Sequence, residues 1–269
     1  MPIGNINGVN LNYEITGQGK AVALLHGYTG SAQDWANQIA VLSPNYMVIA
    51  PDHRGHGKSA APSREEDYSV KILSDDIYSL LNSLNVRKCC LVGHSLGGFT
   101  ALQFAVEHQD MLTGLVLVDT SSGQFARDPN YAQLRQKLDE LARTKGMEAA
   151  FEYDAANNPM RIERFQKHPE LREISRQRVM QTSVDGYIYM SRAIGKWEPL
   201  TSRLSEIRVP TLIFWGNEDT PFAEPSKVMK EGIPNSEMVT VEGAGHSPQE
   251  EAPEVFNEAL LKFLSKLTW

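Results

Sequence analysis

The chain alternates short, continuous apolar runs with stretches whose apolar residues recur every three or four positions. Ala21 to Leu25, Tyr46 to Ala50, Cys89 to Val92, Leu115 to Val118, Thr211 to Trp215 and Met238 to Val241 are the runs, and each predicts a strand buried on both faces. Ser31 to Leu42, Tyr68 to Leu84, Leu96 to about Glu107 and Val255 to Leu267 read as helices. In the second of these, Val70, Ile77, Leu80, Leu81 and Leu84 share one apolar face. This rhythm predicts the α/β class, with a mostly parallel central sheet flanked by helices. Val9 to Ile15 alternates apolar and polar residues instead, as a half-buried strand does. It predicts an antiparallel hairpin at one edge of the sheet, turning at Asn7-Gly8.

The rhythm breaks between Ser121 and Leu204, where no strand-like run occurs. Helical spacing covers roughly Asn130 to Thr144, Met147 to Ala156, Glu170 to Thr182 and Val184 to Ile194. Residues 1–120 and 205–269 therefore read as one core, and 121–204 as a helical cap inserted after the strand that ends at Asp119. Such a cap is expected over the C-terminal edge of the sheet, where open α/β sheets place their ligands.

Composition narrows the picture. A chain of 269 residues, 41% hydrophobic, can bury a full core without disulfides or metals. Its two cysteines, Cys89 and Cys90, are adjacent on a strand and point to opposite faces. That predicts buried, reduced thiols and, by default, a cytoplasmic location. The apolar runs fall far short of the roughly 20 residues a membrane span needs. Pro2, Gly4, Asn5 and Asn7 interrupt any leader-like pattern at the start. With 26 Lys and Arg against 33 Asp and Glu, the net charge of -7 argues against a nucleic-acid partner.

The charge is unevenly spread. The cap segment holds 14 Lys and Arg against 11 Asp and Glu, so it is mildly basic over an acidic core. Ten of those cations are arginines: Arg127, Arg135, Arg143, Arg161, Arg164, Arg172, Arg176, Arg178, Arg192 and Arg203. Arginine suits recognition of a substrate carboxylate. The alternative is that they pair with acidic neighbours on the helix faces.

The sharpest chemical motif is Gly93-His94-Ser95-Leu96-Gly97-Gly98, between a strand and a helix. A serine on that sharp turn is held in a strained conformation with its hydroxyl toward substrate, which makes Ser95 the candidate nucleophile. The N–H of Leu96, at the helix N-terminus, and that of Tyr28, in His26-Gly27-Tyr28-Thr29-Gly30, are candidate oxyanion donors. His246 follows the last strand in Gly243-Ala244-Gly245-His246-Ser247, and an imidazole there can exchange a proton with Ser95 near neutrality. The carboxylate that orients it is Asp219, after the strand Thr211 to Trp215, with Asp119 as its rival. Glu218 is expected to point away.

With the order Ser95, Asp219, His246, the chain resembles the α/β-hydrolase superfamily over nearly its whole length. Pro51-Asp52-His53-Arg54-Gly55-His56-Gly57-Lys58-Ser59 also resembles that family's D-x-R-G-x-G-x-S loop. It is read as structural, with Asp52 and Arg54 paired and His26, His53 and His56 as satisfied polar residues. Ser95 at the elbow sets the chain apart from haloalkane dehalogenases and epoxide hydrolases, which use Asp. The resemblance implies a serine hydrolase that cleaves small or medium carboxylic esters through an acyl-enzyme, with no metal or organic cofactor. Its partner would be a small-molecule ester or lactone. Lactonases, C–C bond hydrolases, haloperoxidase-like and synthase-like members keep such triads, and so does a ligand receptor signalling through its cap.

Overall fold

The computed structural model describes residues 3–123 and 130–269, so Arg127 lies outside the described residues. One sheet contains β1 (Ile3–Ile6), β2 (Val9–Thr16), β3 (Lys20–Leu25), β4 (Tyr46–Pro51), β5 (Cys89–His94), β6 (Leu112–Val118), β7 (Thr211–Gly216) and β8 (Ser236–Val241). The spatial order is β1-β2-β4-β3-β5-β6-β7-β8. β1 and β2 form the edge hairpin, with Ile6 opposite Val9 and φ of 50° and 78° at Asn7 and Gly8. Positive φ at both central residues suits the twist of the flanking strands. β2 joins β4 antiparallel, and all pairings from β4 to β8 are parallel.

Period-two geometry splits each central strand between two cores. Ala21, Ala23, Leu25, Leu91, Leu115 and Leu117 face one side of the sheet. There they meet α2 (Val70–Ser83) through Ile77, Leu80 and Leu81, and α3 (Leu96–His108) through Leu102 and Phe104. Val22, Leu24, Val92, Val116 and Val118 face the other. There Trp35 and Leu42, at the two ends of the segment containing α1 (Ala36–Leu42), meet Phe256, Leu260 and Phe263 of the closing helix. Cys89 and Cys90 are free and buried, one in each core.

Between β6 and β7 the described residues are helical: α4 (Tyr131–Lys145), α5 (Met147–Asn157), α6 (Pro159–Lys167), α7 (Glu170–Met180) and α8 (Val184–Lys196), then a 3-10 turn at Thr201–Glu206. α6 was not expected from the sequence; it is short, and none of its residues is fully buried. After β7 come α9 (Thr220–Gly232), α10 (Pro248–Glu251) and the closing helix α11 (Pro253–Ser265).

The helical block docks on loops at the C-terminal ends of the strands. At the start of α8, the Ser183 amide and hydroxyl both bond the Gly55 carbonyl, at 2.9 and 3.1 Å. Met190 and Ala193 pack against Leu96 and Phe99 at the start of α3. No helix among the described residues is long and apolar enough to cross a membrane.

One expectation is corrected. Arg54 does not pair with Asp52; it forks onto Asp76 of α2, with Nε to Oδ2 and Nη2 to Oδ1 both at 2.8 Å. Asp52 instead accepts from the amides of Ala32 (2.7 Å) and Lys58 (2.8 Å) and from Asn12 Nδ2 (2.8 Å). Asp52 thus ties its own loop to strand β2 and to the turn after β3 with neutral donors and has no need of a cation.

Candidate active site

The sheet order reverses around β3, which lies between β4 and β5. A crevice forms outside the strand ends at such a switch. Tyr28 follows β3 and Ser95 follows β5, so both loops open there. Ser95 sits between β5 and α3 with φ 51° and ψ -112°, a backbone conformation that costs energy for any L-residue. Its neighbours hold it there. Its N–H bonds the Val118 carbonyl at 2.9 Å, and its own carbonyl accepts from Gly98 N at 2.9 Å and Thr120 Oγ1 at 2.8 Å. The turn demands glycine on both sides: a Cβ on Gly93 would lie 2.2 Å from the Gly97 carbonyl, and one on Gly97 2.2 Å from the Leu25 carbonyl.

His246 closes over this turn. Its Nε2 is 3.0 Å from Ser95 Oγ, and its Nδ1 is 2.7 Å from Asp219 Oδ2. A carboxylate on Nδ1 fixes the proton on that nitrogen, which leaves Nε2 to accept from the serine hydroxyl. The Asp219 side chain is 1% exposed. The loops carrying Asp219 and His246 are laced together: Asn217 N bonds Val241 O (3.1 Å), Glu218 N bonds Ala244 O (3.0 Å), and Gly243 N bonds Asn217 Oδ1 (2.8 Å).

Asp119, the rival carboxylate, is fully buried and accepts the Gly216 amide through both oxygens, at 3.1 and 3.3 Å. Burial, and then the neighbouring Asp219 carboxyl, push its pKa well up. The structure therefore brings Asp219, not Asp119, to the imidazole. Glu218 is exposed and turned outward, where it meets Lys167 of α6 at 2.8 Å.

The loop after β3 lies against the same point. A Cβ on Gly27 would fall 2.8 Å from His94 Nδ1 and 3.3 Å from Ser95 Cβ, so the residue preceding Tyr28 borders the serine. Leu96 N is the first amide of α3, a position without an intrahelical acceptor. The Tyr28 ring packs rather than standing free: it stacks on Tyr187 at 5.5 Å, and its hydroxyl bonds the Tyr187 carbonyl.

His94, which the sequence did not single out, is also part of this arrangement. Its Nε2 donates to the His246 carbonyl at 2.6 Å, while burial, and next the charge of His246, hold the ring well below its usual pKa. Behind the Tyr28 loop, His26, His53 and His56 form a buried cluster. His26 Nε2 accepts the His53 amide at 2.9 Å, and burial lowers the pKa of all three, that of His56 to about 3.

Nearly every described arginine of the segment between β6 and β7 has a carboxylate partner. Arg135 pairs with Asp139, Arg161 with Asp154, Arg164 with Glu251, and Arg178 with Asp34 and Glu250. Arg172 and Arg176 reach across to Glu152 and Glu148 on α5, Arg192 binds Glu65, and Arg203 binds Glu206. Arg143 lies over the Tyr189 ring.

Among the described residues, one group of side chains, Asp75, Glu107 and His108, places its ligand atoms within 4.8 Å of one another. Lys71 Nζ already sits 2.9 Å from Asp75 and 3.6 Å from Glu107. The group belongs to the far end of α3 from Ser95, about 20 Å away along that helix.

The sequence profile described as "alpha/beta hydrolase fold" matches residues 20–253. The chain belongs to that family. This α/β hydrolase is 30% identical to a thermophilic esterase from Thermogutta terrifontis, with a TM-score of 0.84 covering 96% of this chain and 94% of that one. It is 25% identical to the enol-lactonase from Burkholderia xenovorans LB400, with a TM-score of 0.85 covering 98% and 100% of the two chains. A Bacillus subtilis protein with the provisional name 2-succinyl-6-hydroxy-2,4-cyclohexadiene-1-carboxylate synthase is 29% identical, over 92% of this chain and 91% of its own.

Proposed function

We propose that this α/β hydrolase cleaves carboxylic esters of small to medium acyl groups through an acyl-enzyme on Ser95. The reading is carried by the continuous line from Ser95 Oγ through the His246 ring to Asp219, with contacts of 3.0 and 2.7 Å. Ser95 Oγ attacks the ester carbonyl as His246 Nε2 takes its proton. Asp219 keeps the Nδ1 proton in place and stabilises the imidazolium. The oxyanion is received by the Leu96 and Tyr28 amides, each such donor being worth about 3–4 kcal/mol in the transition state. His246 then protonates the leaving alcohol, which departs. It next takes a proton from water as that water attacks the acyl carbon, and it returns the proton to Ser95 Oγ as the acyl–Ser95 bond breaks and the acid leaves.

The helical block serves as the cap that bounds the substrate. Its arginine pairing favours an uncharged acyl group over a substrate that brings its own carboxylate. A lactone opens by the same steps, and the likeness to an enol-lactonase makes that the second reading.

The test is a panel of p-nitrophenyl esters of graded chain length, saturated and enol lactones, vinylogous diketones, and matched substrates bearing a free carboxylate. Short uncharged esters should be turned over, with kcat/KM at least about tenfold above their carboxylated analogues, since a buried carboxylate without a cation is costly. Turnover confined to lactones or diketones would replace the ester assignment. An inert wild-type chain would favour a ligand receptor.

A further inference from the structure

Glu251 ends α10, five residues beyond His246, and its side chain is 2% exposed. One oxygen is hydrogen-bonded and the other faces a cation as an ion pair. Oε2 accepts the Gly245 amide at 2.6 Å, and Oε1 lies 3.0 Å from Nη2 of Arg164. Gly245 immediately precedes His246, whose carbonyl is bonded by His94 at 2.6 Å. The two-residue segment Gly245–His246 is thus tied at its amide by Glu251 and at its far carbonyl by His94. Asn217 and Glu218 hold Gly243 and Ala244 upstream, and without the further ties Gly245 would leave the imidazole on a permissive backbone.

The cation on Glu251 comes from elsewhere in the fold. Arg164 belongs to α6 of the helical block, and its side chain is only 15% exposed. The same seam carries two further contacts. Lys167 of α6 meets Glu218, next to Asp219, at 2.8 Å. Arg178 of α7 binds Glu250 at 2.9 Å and Asp34 at 2.8 Å. So α6 and α7 place three cations on the segments that bear Asp219 and His246 and on the turn after β3.

We propose that Glu251 is a positioning residue for His246, and that its ion pair with Arg164 makes the alignment of His246 conditional on docking of α6. With α6 docked, Glu251 keeps its cation, Gly245 its anchor and the imidazole its place at Ser95; undocking of α6 would remove the cation. This inference rests on the reading of Ser95 and His246 as nucleophile and base.

Three variants of the full chain test it: Arg164→Met, Glu251→Ala, and the double variant Arg164→Met with Glu251→Gln. The readouts are the second-order rate of Ser95 modification by a fluorophosphonate, and kcat and KM on a short p-nitrophenyl ester. Each single variant should slow modification and lower kcat by about 10- to 100-fold with KM changed less than about twofold, the scale of an ångström-sized misplacement. The double variant should stay within about threefold of wild type, because glutamine still offers an oxygen to the Gly245 amide and no charge is left unpaired. It also decides the matter if a single variant does not fold. A folded single variant with wild-type rates, or a double variant with a 10- to 100-fold loss, would overturn the proposal. A wild-type chain that takes no label would sink the Ser95 assignment itself, a distinguishable outcome.

Discussion

His56 offers a quantitative probe of the loops under the site. Its ring is wholly buried, lies 5.5 Å from His26 and 6.0 Å from Tyr28, and keeps one nitrogen on the Arg54 carbonyl at 3.1 Å. Burial brings its pKa to about 3, against about 6.5 in an unfolded chain. Both states are mostly neutral at pH 7, so the ring then contributes almost no pH-dependent penalty. As pH falls below about 6.5 the unfolded chain binds the proton and the folded one does not, and stability drops until the folded ring titrates near 3. Between pH 7 and pH 5 the loss from this one ring is about 2 kcal/mol. His26, His53 and His94 are lowered in the same direction by burial. Urea unfolding followed by circular dichroism at pH 7 and pH 5 measures the loss, on wild type and on His56→Gln, whose amide can still donate to Arg54. Wild type should lose about 2 kcal/mol more than the variant over that interval. Losses equal to within about 0.5 kcal/mol would mean that the ring takes up its proton in the folded state, and the argument would fail.

Two further outcomes follow from buried pairs. Arg54 and Asp76 are 5% and 3% exposed, so Arg54→Met should cost about 3–5 kcal/mol in urea unfolding, and adding Asp76→Leu should recover most of it. Asp219→Asn should lower kcat on a short ester by about 10⁴-fold by misplacing the imidazole proton. Asp119→Asn should stay within about tenfold of wild type, because Asp119 bonds Gly216 and not the ring; the reverse ranking would exchange the two carboxylates.

The sheet was legible because its inner strands are continuous apolar runs, and the break in that rhythm marked the helical block. α6 and α9 were not, for different reasons. α6 has no fully buried residue, and its clearest signal is Asn158 capping its start with Pro159 at its first position. α9 carries Pro225 in its interior and buries only Phe222, Ser226 and Met229, too little for an apolar face. Ser95, His246 and Asp219 could be picked out because each follows a strand at a turn of recognisable composition. The partners of Asp52 and Arg54 could not, since nearness in sequence favoured pairing them while the fold delivers Asp76 to one and backbone amides to the other. The same limit hid His94 and Glu251, whose roles depend on contacts with His246 and its loop. Glu250 and Glu251 are indistinguishable as neighbours in sequence, yet one meets Arg178 and the other Arg164.

If Ser95 is a nucleophile activated by His246, it reacts with a phosphonylating reagent and other serines do not. Peptide mass mapping after treatment of the folded chain with a fluorophosphonate tests this most directly. One phosphonyl group per chain, on Ser95, absent from Ser95→Ala and strongly reduced in His246→Ala, is the predicted result. An unlabelled wild-type chain, or a phosphonyl group on another residue with Ser95 intact, would contradict it.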